Sequence, residues 1–124
     1  MKTSPSVLIV EDEAAMVMAL KARFKAGGFS VIGSASSKEE AVSLALEKSP
    51  DYIIMDIRLS GESDGIEAAQ EIADKLNTHI IFITGYSEGD TRRRAMQVKP
   101  VAYLVKPFAI SELISIMSHD GGGR

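Results

Sequence analysis

The chain contains the stretch Tyr52-Ile53-Ile54-Met55-Asp56, in which an uninterrupted apolar run ends on a carboxylate. Such a run is apolar on both faces, which is typical of a central strand in a parallel sheet covered by helices on both sides. Asp56 would then lie at the carboxyl edge of the sheet, where open α/β sheets bind their ligands. Taken alone, a strand-ending Asp is more often the first residue of a turn. The role of Asp56 therefore has to be judged from the rest of the chain.

Similar strand-like runs occur on both sides of this stretch, at residues 7–10, 29–35, 79–83 and 102–105. Helical patterns lie between and after the strands: a helix carrying Val17, Leu20 and Phe24, a second opened by the capping box of Ser37 and Glu40, a third after Gly65, and two more at residues 88–98 and 110–117. Five strands alternating with five helices predict an α/β fold with a doubly wound, five-stranded parallel sheet.

Length and composition limit the classes of protein to be considered. The chain has 124 residues, no cysteine and a formal net charge of -3. The length is that of one domain, and the net negative charge argues against a bare nucleic-acid binder, which needs a clustered positive surface. No apolar run approaches the length of a membrane span or a signal peptide. We expect a cytoplasmic domain at residues 6–118, with an N-terminal extension at 1–5 and a flexible tail at 119–124.

Several chemically active side chains follow the predicted strands. Glu11 and Asp12 follow the first strand, Asp56 ends the third, Thr84 ends the fourth and Lys106 follows the fifth. Because the carboxyl ends of parallel strands lie at one edge, we expect these side chains to meet. Two carboxylates about 4 Å apart repel by about 4 kcal/mol at an effective dielectric near 20. The three acids therefore predict a site for a divalent cation, Mg2+ or Mn2+.

This set of groups suits phosphoryl transfer. With a metal present, Asp56 can act as a nucleophile toward phosphorus. Thr84 can donate a hydrogen bond to a phosphoryl oxygen, and Lys106 can neutralise another. Taken together, the residues favour a functional Asp56 over a simple turn residue.

From residue 7 to residue 117 the sequence resembles the receiver domain of two-component response regulators, including the chemotaxis regulators. The resemblance is carried by Glu11-Asp12, Met55-Asp56-Ile57-Arg58-Leu59, Thr84-Gly85 and Tyr103-Leu104-Val105-Lys106-Pro107-Phe108. Phe82-Ile83-Thr84-Gly85-Tyr86 is also similar to the Phe-x-Thr-Gly-Tyr signature of a subgroup of small receivers. The resemblance implies a flavodoxin-like fold with strand order 2-1-3-4-5.

The resemblance also implies roles for individual residues. Asp56 would be the phosphoacceptor. The metal ligands would be the carboxylates of Glu11, Asp12 and Asp56 and the backbone carbonyl of Arg58. Thr84 and Lys106 would bind the phosphoryl group, Tyr103 would be the aromatic switch, and the Lys106-Pro107 peptide would be cis.

In function, the resemblance implies a phosphorylation-dependent signalling switch rather than an enzyme for external substrates. It would accept phosphoryl from a histidine kinase or a histidine phosphotransfer protein and catalyse only its own phosphorylation and dephosphorylation. Arg92, Arg93, Arg94 and Tyr103 would belong to its output surface, which would bind a downstream protein, a fused output domain or a second copy of the chain. The alternative for the three arginines is a solvated helix face.

The sequence departs from the receiver pattern at two places. Ser60 replaces the usual Pro, and the loop from Ser60 to Gly65 is one residue longer than usual. Ala109 stands where many receivers have a capping residue for the last helix, which predicts a start that is weaker by about 1 kcal/mol.

Two other classes of protein use or resemble this arrangement. Haloacid dehalogenase phosphatases also attack with a strand-ending Asp, but they carry a second Asp two residues later, where this chain has Arg58. Pseudo-receivers, which act without phosphorylation, usually lack some of the acids, the Thr or the Lys. All of these residues are present here, and both contrasts favour the receiver.

Overall fold

A computed structural model of the chain describes residues 4–59, 65–85 and 89–119. Within these ranges, strands and helices alternate along the chain. The strands are β1 (Ser6–Val10), β2 (Ser30–Ala35), β3 (Tyr52–Asp56), β4 (His79–Thr84) and β5 (Ala102–Val105). The helices are α1 (Ala14–Ala26), α2 (Lys38–Lys48), α3 (Gly65–Ala73), α4 (Gly89–Met96) and α5 (Ile110–Met117).

The described strands form one parallel sheet in the order β2-β1-β3-β4-β5, so the predicted doubly wound fold and strand order are confirmed. In the register of the sheet, Val10 lies beside Met55, and Asp56 lies beside Ile83. Thr84 lies beside Val105. The carboxyl ends of β1, β3, β4 and β5 therefore lie at one edge.

The two faces of β3 pack into two separate cores, which is why this strand is apolar on both sides. Ile53 and Met55 face a core that α2, α3 and Ala95 of α4 complete. Tyr52 and Ile54 face the other core, to which α1 and α5 contribute. All five residues of β3 are buried, so Asp56 is held at the end of a strand enclosed on both faces.

The ends of the helices follow local chemistry. The Ser37 hydroxyl accepts a hydrogen bond from the Glu40 amide at 3.2 Å, as the capping box predicts, while the Glu40 carboxylate accepts from the Ser36 amide at 3.0 Å, one residue before the position expected. Ala109 precedes α5 without a side-chain cap, as predicted. Helix α4 ends at Met96 rather than at residue 98, because Lys99 precedes a proline and adopts a left-handed φ of 62°.

At the amino edge of the sheet, hydrogen bonds that the sequence patterns do not indicate join β3 to its neighbours. Asp51 accepts hydrogen bonds from the amide and the hydroxyl of Ser6, at 2.7 and 3.1 Å. The Tyr52 hydroxyl donates to the backbone carbonyl of Met117 at 2.9 Å. These bonds connect the start of β3 to β1 and to the end of α5.

Some predictions fall outside the described residues. They concern Ser60, Tyr86 and parts of the two terminal segments. None of the helices in the described ranges has both the length and the apolar character needed to span a bilayer.

Candidate functional site

Three carboxylates meet at the carboxyl edge of the sheet, as the strand ends predict. One oxygen from each of Glu11, Asp12 and Asp56 lies within 4.8 Å of the others. Glu11 and Asp56 are 3% and 4% exposed, whereas Asp12 is exposed. Two acids of the cluster are therefore buried against the sheet, and the third, Asp12, is exposed to solvent.

Backbone amides hold the two buried acids in place. The Glu13 amide donates to one carboxylate oxygen of Glu11 at 3.0 Å. The Arg58 amide donates to the Oδ1 atom of Asp56 at 3.1 Å. Each acid is thus oriented by the amide two residues after it, a contact typical of an Asx-type turn at the end of a strand.

Lys106 joins the acids from the end of β5. Its Nζ atom lies 2.9 Å from the Oε1 atom of Glu11 and 3.3 Å from the Oδ2 atom of Asp56. Its backbone amide donates to the Thr84 carbonyl at 2.7 Å, which fixes the start of the loop after β5. The peptide bond between Lys106 and Pro107 is cis. The ammonium group of Lys106 therefore forms ion pairs with two buried carboxylates in the described site.

Among the described contacts of the site, one ammonium group faces three carboxylates, and burial adds to the cost of their charge. Burial, followed by the charge of Glu11, raises the pKa of Asp56 to about 6, against the opposing effects of Lys106 and the Arg58 amide. Burial alone would lower the pKa of Lys106, but its hydrogen bond to Glu11 and the charges of both acids raise it above its ordinary value. The ionised cluster thus keeps uncompensated negative charge, and its carboxylate oxygens are the donors that Mg2+ prefers.

Thr84 lies beside this cluster and on the same face of the sheet as the predicted switch residue. Thr84 is the last residue of β4 and is fully buried. Tyr103 pairs with Phe82 in the register of β4 and β5. Because side chains two residues apart on a strand share a face, Thr84 and the Phe82–Tyr103 pair lie along one side of the sheet.

Tyr103 is half-buried between an aromatic ring and an arginine. Its ring meets that of Phe82 edge to face, with 6.5 Å between centroids, and the Arg92 guanidinium lies 4.9 Å from its centroid. Burial raises the pKa of the Tyr103 hydroxyl, partly offset by Arg92. Sequence reasoning missed this contact because residues 92 and 103 belong to different elements.

The three consecutive arginines do not form one uniform face. Arg92 and Arg93 are exposed, whereas Arg94 is partly buried. Arg93 forms an ion pair with Asp90 on the same helix. Arg92 instead stacks on Tyr103. The three arginines therefore differ in their surroundings, and their place on an output surface stays a prediction.

Comparisons with known proteins give a family and a set of related folds for this chain. The family model of the response regulator receiver domain matches residues 7–118. The transcriptional regulatory protein PdtaR of Mycobacterium tuberculosis is 44% identical over 108 residues, which cover 87% of this chain and 52% of PdtaR. The chain thus spans about half the length of that curated relative.

Solved structures share the fold over nearly the whole chain. The signal receiver domain of a modulated diguanylate cyclase from Desulfovibrio desulfuricans matches with a TM-score of 0.87 and 38% identity, covering 94% of this chain and 92% of that one. A chain of the CheX-CheY-BeF3-Mg2+ complex from Borrelia burgdorferi matches with a TM-score of 0.84 and 25% identity, covering 92% and 87%. With the family model covering most of the sequence, this chain belongs to the response regulator receiver domain family.

Proposed function

We propose that this chain is a phosphorylation-dependent signalling switch that accepts a phosphoryl group on Asp56 from a histidine kinase or a histidine phosphotransfer protein. The observation that carries the proposal is the meeting of Glu11, Asp12, Asp56 and Lys106 at one sheet edge. Asp56 is the buried acid that ends the enclosed strand, and it is also in contact with Lys106. These features give it a fixed position and a partner for the charge of an incoming phosphoryl group.

In the proposed transfer, a carboxylate oxygen of Asp56 attacks phosphorus. The new bond joins that oxygen to phosphorus while the bond from phosphorus to the donor's imidazole nitrogen breaks, and that nitrogen takes up a proton. Lys106 can move its ammonium group from the acids toward a phosphoryl oxygen. The carboxylates of Glu11, Asp12 and Asp56 and the backbone carbonyl of Arg58 would hold Mg2+, which supplies positive charge for the transferring group.

The proposed signal passes from Thr84 to Tyr103. A phosphoryl group can shift an equilibrium only through contacts that differ between the two states. Thr84 lies at the end of the strand next to Asp56 and can move toward a phosphoryl oxygen, which vacates space that the ring of Tyr103 can enter. The changed surface would comprise α4, β5 and α5, including Arg92 to Arg94. There we expect a downstream protein, an output domain or a second copy to bind.

The contents of the site favour this switch over the two alternatives. The residue two positions after Asp56 is Arg58, whose amide orients the Asp56 carboxylate, so the second acid of a dehalogenase-type phosphatase is missing from its place. The acids, Thr84 and Lys106 are all present, which is unlike a pseudo-receiver. The chemistry expected of this chain is therefore its own phosphorylation and dephosphorylation. Phosphorylation by a histidine kinase or phosphotransfer protein, binding of a downstream partner, dimerisation and a cytoplasmic location stay predictions.

The test is labelling with a small phosphodonor. With acetyl phosphate and Mg2+, intact-mass analysis should show one added phosphoryl group on the wild-type chain and none on Asp56→Asn. Asp74→Asn makes the same chemical change at an exposed position in the turn just after α3, and it should be labelled like the wild type. Equal labelling of Asp56→Asn would refute the assignment of the phosphoacceptor.

A further inference from the structure

The first residue of α3 touches the backbone of the phosphoacceptor. Gly65 is buried, and its amide donates to the carbonyl of Ile57 at 2.6 Å. A Cβ atom at Gly65 would lie 3.0 Å from both the carbonyl carbon of Asp56 and the Cα atom of Ile57, and it would overlap the carbonyl oxygen of Asp56. The absence of a side chain at Gly65 is therefore a condition for this contact.

The backbone that Gly65 touches carries most of the proposed chemistry. Asp56 supplies the carboxylate, and the Arg58 amide orients it at 3.1 Å. The Arg58 carbonyl is a proposed metal ligand. On its other side the same segment is tied to β4, because the Ile57 amide donates to the Ile83 carbonyl at 3.2 Å. Residues 56–58 are thus held between β4 and the start of α3.

Helix α3 cannot easily move away to make room for a side chain at position 65. Ile66, Ala69 and Ile72 anchor it in the core and are no more than 5% exposed. Moving the helix would unpack these residues. A Cβ atom at position 65 would therefore displace the Asp56–Ile57 peptide rather than the helix.

We infer that Gly65 is a positioning residue for the phosphoacceptor: its bare Cα and its amide set where the Asp56 carboxylate and the Arg58 carbonyl lie. This inference rests on the proposed function and goes beyond it, because Gly65 contributes no side chain to the site. Groups that orient metal ligands typically change metal affinity by about 10- to 100-fold when they are altered. The same loss is expected here, because two of the proposed ligands lie on the displaced segment.

The chain offers a matched control. Gly89 is the first residue of α4, as Gly65 is of α3, but a Cβ atom at Gly89 meets nothing within 4 Å among the described residues. Mg2+ would be added to isotope-labelled wild type, Gly65→Ala and Gly89→Ala, with Kd taken from amide shifts and folding checked by circular dichroism. Gly65→Ala should weaken Mg2+ binding by about 10- to 100-fold, and Gly89→Ala by less than about threefold.

Three outcomes overturn the inference. If Gly65→Ala has a lower melting temperature but a Kd within about threefold of the wild type, Gly65 serves only packing. If Gly65→Ala does not fold, the Mg2+ titration of the wild type replaces it. The amide signal of Gly65 should then shift with the same Kd as the amide signals around Asp56. A Gly65 amide signal that does not shift with Mg2+ would refute the positioning role. A wild type that binds no Mg2+ and accepts no phosphoryl group would overturn the proposed function and this inference together.

Discussion

Replacing Asp56 by asparagine should stabilise the metal-free protein, because it removes a buried charge that the site does not balance. In the unfolded chain this carboxyl ionises near its ordinary pKa of 3.8, whereas in the fold its pKa is about 6. The difference corresponds to about 3 kcal/mol for a carboxyl fully shielded from water. Since the cluster opens to solvent through Asp12, screening reduces this to about 1 to 2 kcal/mol.

The pH dependence has a definite sign. A folded carboxyl with a raised pKa holds its proton longer than the unfolded one, so the folded wild type loses stability as the pH rises from about 4 to about 6. Asp56→Asn lacks this loss. The two proteins should therefore differ little below about pH 4, and the full difference should be present above about pH 6.

The assay is thermal and urea unfolding with a metal chelator present. At pH 8 the melting temperature of Asp56→Asn should exceed that of the wild type by roughly 4 to 8 °C, whereas the exposed change Asp74→Asn should have little effect. Mg2+ at about 100 times its Kd should then stabilise the wild type by about 2.7 kcal/mol and Asp56→Asn by less. An Asp56→Asn variant no more stable than the wild type at pH 8 would refute the electrostatic reasoning.

Three further changes test other parts of the molecule. Thr84→Ala should still be labelled on Asp56, yet its amide spectrum around Tyr103 should respond little to beryllofluoride; a wild-type response would contradict the proposed coupling. Arg92→Ala removes a cation–π contact of about 0.5 to 1 kcal/mol that restrains the Tyr103 ring in this structure. The beryllofluoride concentration that gives half of the spectral response should therefore fall by about two- to fivefold. An unchanged concentration would mean that Arg92 does not restrain the ring. Ala109→Ser should raise the melting temperature by about 4 °C, because its hydroxyl can accept a hydrogen bond from an amide in the first turn of α5. An unchanged melting temperature would contradict this prediction.

Local patterns predicted the elements well, because strands and helices here follow the spacing of apolar residues and the capping groups. The bounds of β3, β5 and α5 agree with the predicted ones. The end of α4 differs because the backbone of Lys99 before a proline, rather than apolar spacing, terminates the helix.

The candidate site was predictable in outline because parallel strands bring their carboxyl ends to one edge. The sequence did not predict that Lys106 forms ion pairs with both Glu11 and Asp56, since these contacts depend on distances between residues far apart in the chain. The contact of Gly65 with Asp56 and Ile57 was also missed, since sequence patterns describe side chains and this contact needs the absence of one. The stacking of Arg92 on Tyr103 depends on how α4 packs on β5.

The burial of β3 on both faces has a consequence for how motion is distributed in this domain. Amide hydrogens of enclosed central strands exchange with solvent only through large openings, so those of Ile53 to Met55 should be among the slowest to exchange. Asp56 is attached to the end of this strand and would be nearly stationary while a partly exposed strand such as β5 opens far more often. Exchange measured residue by residue should then show slow exchange at Asp56 and a faster rate at Tyr103, along the path that the proposed signal would take.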